Sequence, residues 1–176
     1  YYLYPLKEPD RFKTEGEYFA HMREQQPKTL KGEWVKSLQE MHLVNHLYRN
    51  NIGYVYEADY CISTATYDRR QYKPDFYLPK YKIYIEHYGI GSDGEPPSFM
   101  TKEEATAYKE GIKWKRELHK KHKTTLIETF SYEFMDGSFF SKFEDTLKEH
   151  EVVFEAIDPD KLLEKINSED PARKIA

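Results

Sequence analysis

The stretch YKPDFYLPKYKIYIEHYGI (residues 72–90) decides the fold. It holds two short β-rich runs, YKPDFYLP and KIYIEHYGI, joined at Pro79-Lys80. Aromatic and β-branched residues suit a pleated surface and Pro punctuates the runs, so the pair reads as a hairpin or as two adjacent strands. Side chains alternate faces along a strand. Ile83, Ile85 and His87 therefore share one face, and Tyr84, Glu86 and Tyr88 the other. A carboxylate among apolar and aromatic neighbours is costly to bury unless something pairs with it. Glu86 is one such residue, and Asp75, between Pro74 and Phe76, is a second. Two carboxylates on adjacent strands can converge, which suits a hard, oxygen-liganded cation such as Mg²⁺. The plainer alternative puts each acid on the solvent face of an edge strand.

Upstream, KGEWVKSLQEMHLVNHLYRNNIG (residues 31–53) carries the strongest helical pattern. Leu43, Val44, Leu47 and Tyr48 form its apolar stripe, and Asn50-Asn51 with Gly53 signal its stop. Glu40 extends that stripe towards the core, where an acid is out of pattern. It is either a third acid of a site or a helix-surface residue paired with Lys36. Before this helix, TEGEYFAHMREQQ (residues 14–26) reads as a short helix with Thr14 and Glu17 as a capping box, stopped by Pro27. After it, YVYEADYCIS (residues 54–63) reads as a strand and STATYDRRQ (residues 63–71) as a loop.

Downstream, GSDGEPPSF (residues 91–99) is a loop, followed by a long helix over 101–122 with Thr101 as N-cap and Glu104 three residues on. TTLIETF (124–130) is a buried-type strand, SFFSKFEDTLKEH (138–150) a helix, and VVFEAI (152–157) a last short strand. DPDKLLEKIN (158–167) is a closing helix with Asp158 as cap and Pro159 in the first helical position. Three consecutive strands followed by helix, strand and helix predict an α/β fold, with a mixed central sheet and helices on its faces.

Composition bounds the function. The chain has 176 residues, 28 of them aromatic (16 Tyr, 10 Phe, 2 Trp), and a net charge of −4. So many aromatics exclude a disordered chain. No apolar run approaches the roughly 20 residues of a membrane span. The opening YYLYPLKEPD lacks a basic segment followed by an apolar one and is not a signal peptide. The single cysteine, Cys61, excludes a disulfide scaffold and a Cys-based zinc cluster, and with no paired base it reads as a packed residue. These features predict a soluble, cytoplasmic protein or a piece of one. The acidity is local. Residues 133–176 hold 12 Asp/Glu and 6 Lys/Arg, which leaves 19 acidic and 21 basic residues before them. Within the long helix, Lys109 to Lys123 carry seven Lys/Arg against two Glu. That ridge reads either as a solvated helix face or as a phosphate-contacting one. Tyr108, Ile112, Lys115 and His119 share one face of this helix. Glu128, at the end of its strand, could approach the site, but an acid there more commonly reads as exposed. There is no phosphate-binding P-loop, no GxGxxG, and no HExxH (His42 and His46 stand in HLVNH), so nucleotide-motor and zinc chemistries find no support.

The order helix Glu40, Pro74-Asp75, then Glu86 resembles the core of PD-(D/E)XK nucleases. Four segments in order, GEWVKSLQEMHLVNHL, YKPDFYLP, IYIEHYGI and YKEGIKWKRELHKKHKTTLIETFS, look like the nuclease-like domain within some UvrD/Rep-type superfamily 1 DNA helicases, the helicase IV-like group. The likeness covers about residues 28–150. It implies a restriction-endonuclease-like αβββαβ core over 28–150, a linker and short helix over 1–27, and an acidic extension over 151–176 leading towards a helicase part. It implies Mg²⁺- or Mn²⁺-dependent hydrolysis of DNA, with Asp75, Glu86 and Glu40 as metal ligands. ATP would be used only by helicase motor domains elsewhere in the parent chain. Lys113, Lys115, Arg116, Lys120, Tyr88 and Tyr108 would contact DNA. The family places a Lys two residues after its second strand acid, where this chain has Tyr88. Either the Lys has moved to the following helix, with Lys115 first and Lys113 second in line, or the domain has lost catalysis and binds DNA or braces the motor.

Overall fold

The computed structural model describes residues 12–14, 16–18, 20, 21 and 28–169. Two compact units divide the chain, one of residues 1–52 with 153–176 and one of residues 53–152. Residues 28–52, expected with the sheet, thus group with the C-terminal segment.

The first unit is built on helix α1 (Leu38–Arg49). Its N-cap is Ser37, whose Oγ accepts from Glu40 N–H at 3.0 Å. The helix does not begin at Lys31 because the chain turns there. Gly32 sits at φ 92°, Thr29 N–H donates to the Glu33 carbonyl at 2.8 Å, and Gly32 N–H donates back to Thr29 at 2.9 Å. The expected stripe is buried, with Leu43, Val44 and Leu47 fully so and Tyr48 nearly so. Residues 152–157 are not a strand. Instead Glu155 and Ile157 N–H groups donate to the carbonyls of Asn50 (3.1 Å) and Arg49 (2.8 Å), which have no partner within the helix. A closing helix over Pro159–Glu169 follows. Asp158 Oδ1 accepts from Asp160 N–H at 3.0 Å, as its capping role requires. At the other end of the unit, Thr14 Oγ1 accepts from Glu17 N–H at 3.1 Å, while Glu17 Oε2 accepts from Lys13 N–H, one residue earlier than a capping box demands. The stop at Pro27 lies outside the described residues.

The second unit carries the sheet. Strands β1 (Val55–Tyr56), β2 (Phe76–Leu78), β3 (Ile83–Tyr88) and β4 (Thr125–Phe130) lie in the order β1-β2-β3-β4. The first two pairings are antiparallel and β3–β4 is parallel, so the sheet is mixed. Strand β1 is far shorter than the run 54–63 suggested. Glu57 takes φ 47°, a left-handed conformation that ends pairing. The loop beyond it is held by Gln71, whose Nε2 donates to the carbonyls of Tyr60 and Ile62 and whose Oε1 accepts from Thr64 N–H. Cys61 lies on this loop and is exposed rather than packed.

Parallel strands need a long crossover, and α2 (Lys102–His122) supplies it between β3 and β4. The capping box at its start is complete. Thr101 Oγ1 accepts from Glu104 N–H at 3.2 Å, and Glu104 Oε2 accepts from Thr101 N–H at 2.8 Å. Thr101→Ala is expected to lower stability by about 1 kcal/mol, read as a shift in the denaturant midpoint with an unchanged slope. A short helix the sequence pattern did not disclose, α3 (Ser131–Met135), leads into α4 (Phe139–Glu149). The face parity of β3 is as expected. His87 turns to Phe134 of α3 and Phe139 of α4, with ring centroids at 5.6 and 6.2 Å. Tyr84, Glu86 and Tyr88 turn to α2, where Ile112 and His119 are buried. Helices therefore cover both faces of the sheet in this unit. The described elements up to β4 run α, β, β, β, α, β. Among the described residues, no helix is long and apolar enough to cross a membrane.

Candidate active site

The hairpin register brings the two strand acids together. Tyr77 pairs with Tyr84 and Phe76 with Ile85, so one further step sets Asp75 opposite Glu86. Tyr77 and Tyr84 stack at 4.6 Å on one face, and the period of two puts Asp75 and Glu86 on that same face. Asp75 is fixed there by accepting from His87 N–H through Oδ2 at 2.8 Å. Glu86 is almost wholly enclosed, with 1% exposure. Burial first, and the Asp75 charge second, push its carboxyl up to about 7. On the other side of β3, the parallel register pairs Glu86 with Glu128. Three acids thus lie in a row across β2, β3 and β4. Glu128 is less exposed than its place near a strand end suggested.

Helix α2 supplies the cations. Lys115 Nζ bonds Glu86 Oε2 at 2.5 Å, and its ammonium lies over the rings of Tyr88 (5.4 Å) and Tyr72 (5.7 Å). Arg116 Nε bonds Glu128 Oε1 at 2.7 Å. Lys115 was the first candidate for a displaced lysine, and its side chain lies at Glu86. Lys113, the second candidate, is exposed and faces Glu117 at 3.9 Å.

Tyr72 and Thr129 are site residues that sequence reasoning missed, and His119 gains a role beyond its helix face. Tyr72 O–H donates to Glu86 Oε1 at 2.7 Å, and its oxygen lies 3.2 Å from His119 Nε2. The Tyr72 proton is engaged by the carboxylate, so His119 donates through Nε2 and accepts through Nδ1. Thr124 Oγ1 lies 2.8 Å from that Nδ1, and Tyr60 O–H meets Thr124 Oγ1 at 2.7 Å. The chain Tyr60–Thr124–His119–Tyr72–Glu86 is consistent when every proton points towards Glu86. It requires neutral imidazole, and burial together with the Lys115 charge lowers His119 to about 4. Burial and the Glu86 charge hold the Tyr72 hydroxyl well above its ordinary range. On the opposite face, Thr129 Oγ1 donates to the Glu86 carbonyl at 3.2 Å and receives His87 Nδ1–H at 2.9 Å. Burial lowers His87 to about 3, so it stays neutral. No local pattern marks Tyr72, because its contacts join a loop to a strand and a helix.

Tyr88 has 2% exposure, so its ring cannot stack on a base. Tyr108 accepts from Gly89 N–H at 3.0 Å, which ties the helix to the end of β3. Lys120 is exposed. Glu40 belongs to the other unit, where Oε2 accepts from Lys36 N–H at 3.1 Å and closes the N-terminus of α1. The expected link with Lys36 thus runs to its backbone. Among the described residues, no group of three or more His, Cys, Asp or Glu side chains is arranged to hold a metal ion. The donor set in the sheet is the carboxylate pair Asp75 and Glu86. Mg²⁺ accepts one or two carboxylates with water and substrate phosphate completing its sphere, so a carboxylate pair suits such a cation. No protein-family model, curated protein or solved structure matches the chain.

Proposed function

We propose that this chain is a metal-dependent DNA phosphodiesterase domain, and that its catalytic set is Asp75, Glu86 and Lys115. One observation carries the reading: a lysine from the crossover helix meets a buried carboxylate that the hairpin register sets opposite a second carboxylate. The restriction-endonuclease-like core and the place within a DNA helicase rest on the four-segment resemblance, with which the αβββαβ order agrees.

Asp75 and Glu86 would hold Mg²⁺ or Mn²⁺. When bound, the cation supplies Lewis-acid activation of water and of the phosphoryl oxygen. Lys115 would take the position of the strand lysine that Tyr88 displaces, offsetting charge that develops on the phosphate. The relay through Tyr72 and His119 holds Glu86 in one rotamer. The exposed Lys113 and Lys120 would meet the DNA backbone.

A second reading, a non-catalytic DNA-binding module, is favoured by one observation: both oxygens of Glu86 already have protein partners. Incubating the chain with single-stranded and duplex DNA in Mg²⁺ or Mn²⁺ separates the two. Cleavage abolished by EDTA supports the first, and salt-dependent binding without cleavage supports the second.

The pH profile is a further test. The carboxylate must be ionised to hold a cation, and Glu86 loses its proton near 7. Cleavage is expected to rise about tenfold per pH unit below that value and to level off above it. A profile flat from pH 5 to 8 at subsaturating metal contradicts an ionised Glu86 in the reaction.

A further inference from the structure

Beside the acid row lies a cavity of about 370 Å³, lined by Ile90, Gly91, Lys109, Ile112, Arg116, Phe130 and neighbouring residues. It opens beyond the carboxyl ends of the parallel strands β3 and β4, where α/β sheets commonly seat ligands. Ile90, Ile112 and Phe130 give it apolar lining. One wall is the ring pair Phe130–Tyr132, stacked at 5.5 Å with 15° between planes. The glycine loop that follows β3 adds Gly91, Ser92 and Gly94 to the lining. Gly94 holds φ +79°, a conformation that favours glycine, and a Cβ on Gly91 would press on the Asp93 side chain, with Oδ1 at 2.9 Å.

Lys109 and Arg116 bring charge to the rim, each already facing one carboxylate, Glu95 and Glu128 respectively. A bare anion would find each of those cations already paired with a carboxylate, and apolar lining it cannot use. A ligand with a flat apolar ring and one phosphate uses every wall. The cavity adjoins the acid row, since Arg116 follows Lys115 in sequence and Ile112 packs against Tyr88, two residues from Glu86. We infer that this cavity holds one unpaired nucleotide of the substrate strand, its base against Phe130 and Tyr132 and its phosphate at Lys109 and Arg116. A base seated in this cavity against the two rings cannot be paired, so the substrate is single-stranded or frayed beside the scissile bond. That last step rests on the nuclease reading, whereas nucleotide binding does not.

The test titrates dAMP, dTMP and inorganic phosphate into the full chain in EDTA, followed by amide NMR. Both nucleotides are expected to shift Ile90, Gly91, Phe130 and Tyr132, and phosphate to bind at least tenfold more weakly. Ser92 is exposed on the rim, so Ser92→Trp should fill the mouth without touching the core and weaken dAMP at least tenfold. Lys109→Ala, also at an exposed position, should weaken dAMP severalfold. Phosphate binding as tightly as dAMP, or unchanged dAMP binding by a folded Ser92→Trp chain, overturns the inference. Nucleotide binding without any DNA cleavage would uphold the pocket and remove the nuclease reading. Cleavage that favours blunt duplex over single strands would uphold the nuclease reading and remove the unpaired nucleotide.

Discussion

Replacing Asp75 by Asn should reduce metal-dependent DNA cleavage at least a hundredfold and leave the fold in place. Asn keeps a carbonyl oxygen to accept from His87 N–H, the bond that fixes this position at 2.8 Å. What it removes is the charge, and with it half of the carboxylate pair. The same loss should act on Glu86. Asp75 is one of the two causes that raise the Glu86 carboxyl, so in metal-free protein its titration should move down towards the ordinary carboxylate range. Carboxyl-carbon NMR of the parent and Asp75→Asn chains reads this directly. An unmoved Glu86 titration means the two acids do not share a site.

Lys115→Met should be the most damaging change to the unit that bears the sheet. Glu86 keeps its Tyr72 bond but loses its only ion-pair partner among the described contacts, at 1% exposure. Breaking a buried pair on one side commonly costs about 3–5 kcal/mol; Lys115 retains 28% side-chain exposure, so the lower end applies. The pH dependence identifies the cause. A carboxyl raised above its unfolded value adds stability in acid, and that stability is lost as pH rises through the folded value. For the parent chain the window runs from 4.5 to about 7. Lys115 lowers the Glu86 carboxyl, so its removal should push the upper limit higher. The variant should be close to the parent at pH 5 and fall furthest behind above pH 7. Chemical denaturation at pH 5 and 8 measures the gap, and an equal gap at both would show that Glu86 is not the residue left behind. Cleavage should fall about 10²–10³-fold as well. Lys115→Arg retains the charge and should recover most of the stability, with less of the cleavage, because a planar fork does not replace a point charge at one carboxylate oxygen.

Much of this site was legible in residues 72–90 because alternation is a local property. The parity of Ile83 to Tyr88 needs only a period of two, and it placed Glu86 and His87 on opposite faces as found. The long helix was equally legible, since Thr101, Glu104 and the face of Tyr108, Ile112, Lys115 and His119 follow from local rules. Reading failed where long-range partners decide. Glu57 breaks a run that looked like a strand by taking φ 47°. Residues 152–157 look like a strand but donate to the end of α1 instead. Glu128 looked peripheral because only the β3–β4 register sets it beside Glu86. Glu40 looked like a misplaced acid, although its carboxylate closes the first turn of its own helix. The tyrosines that flank the strand acids are packed: Tyr84 and Tyr88 are buried, and Tyr77 stacks on Tyr84.

The most direct measurement is single-turnover cleavage of end-labelled single-stranded DNA by excess protein in Mn²⁺ or Mg²⁺, with EDTA and Asp75→Asn in parallel. Shortened products in either metal, lost in EDTA and reduced at least a hundredfold in the variant, are expected. No product from the parent chain, or equal product from Asp75→Asn, contradicts a metal-dependent nuclease built on Asp75, Glu86 and Lys115.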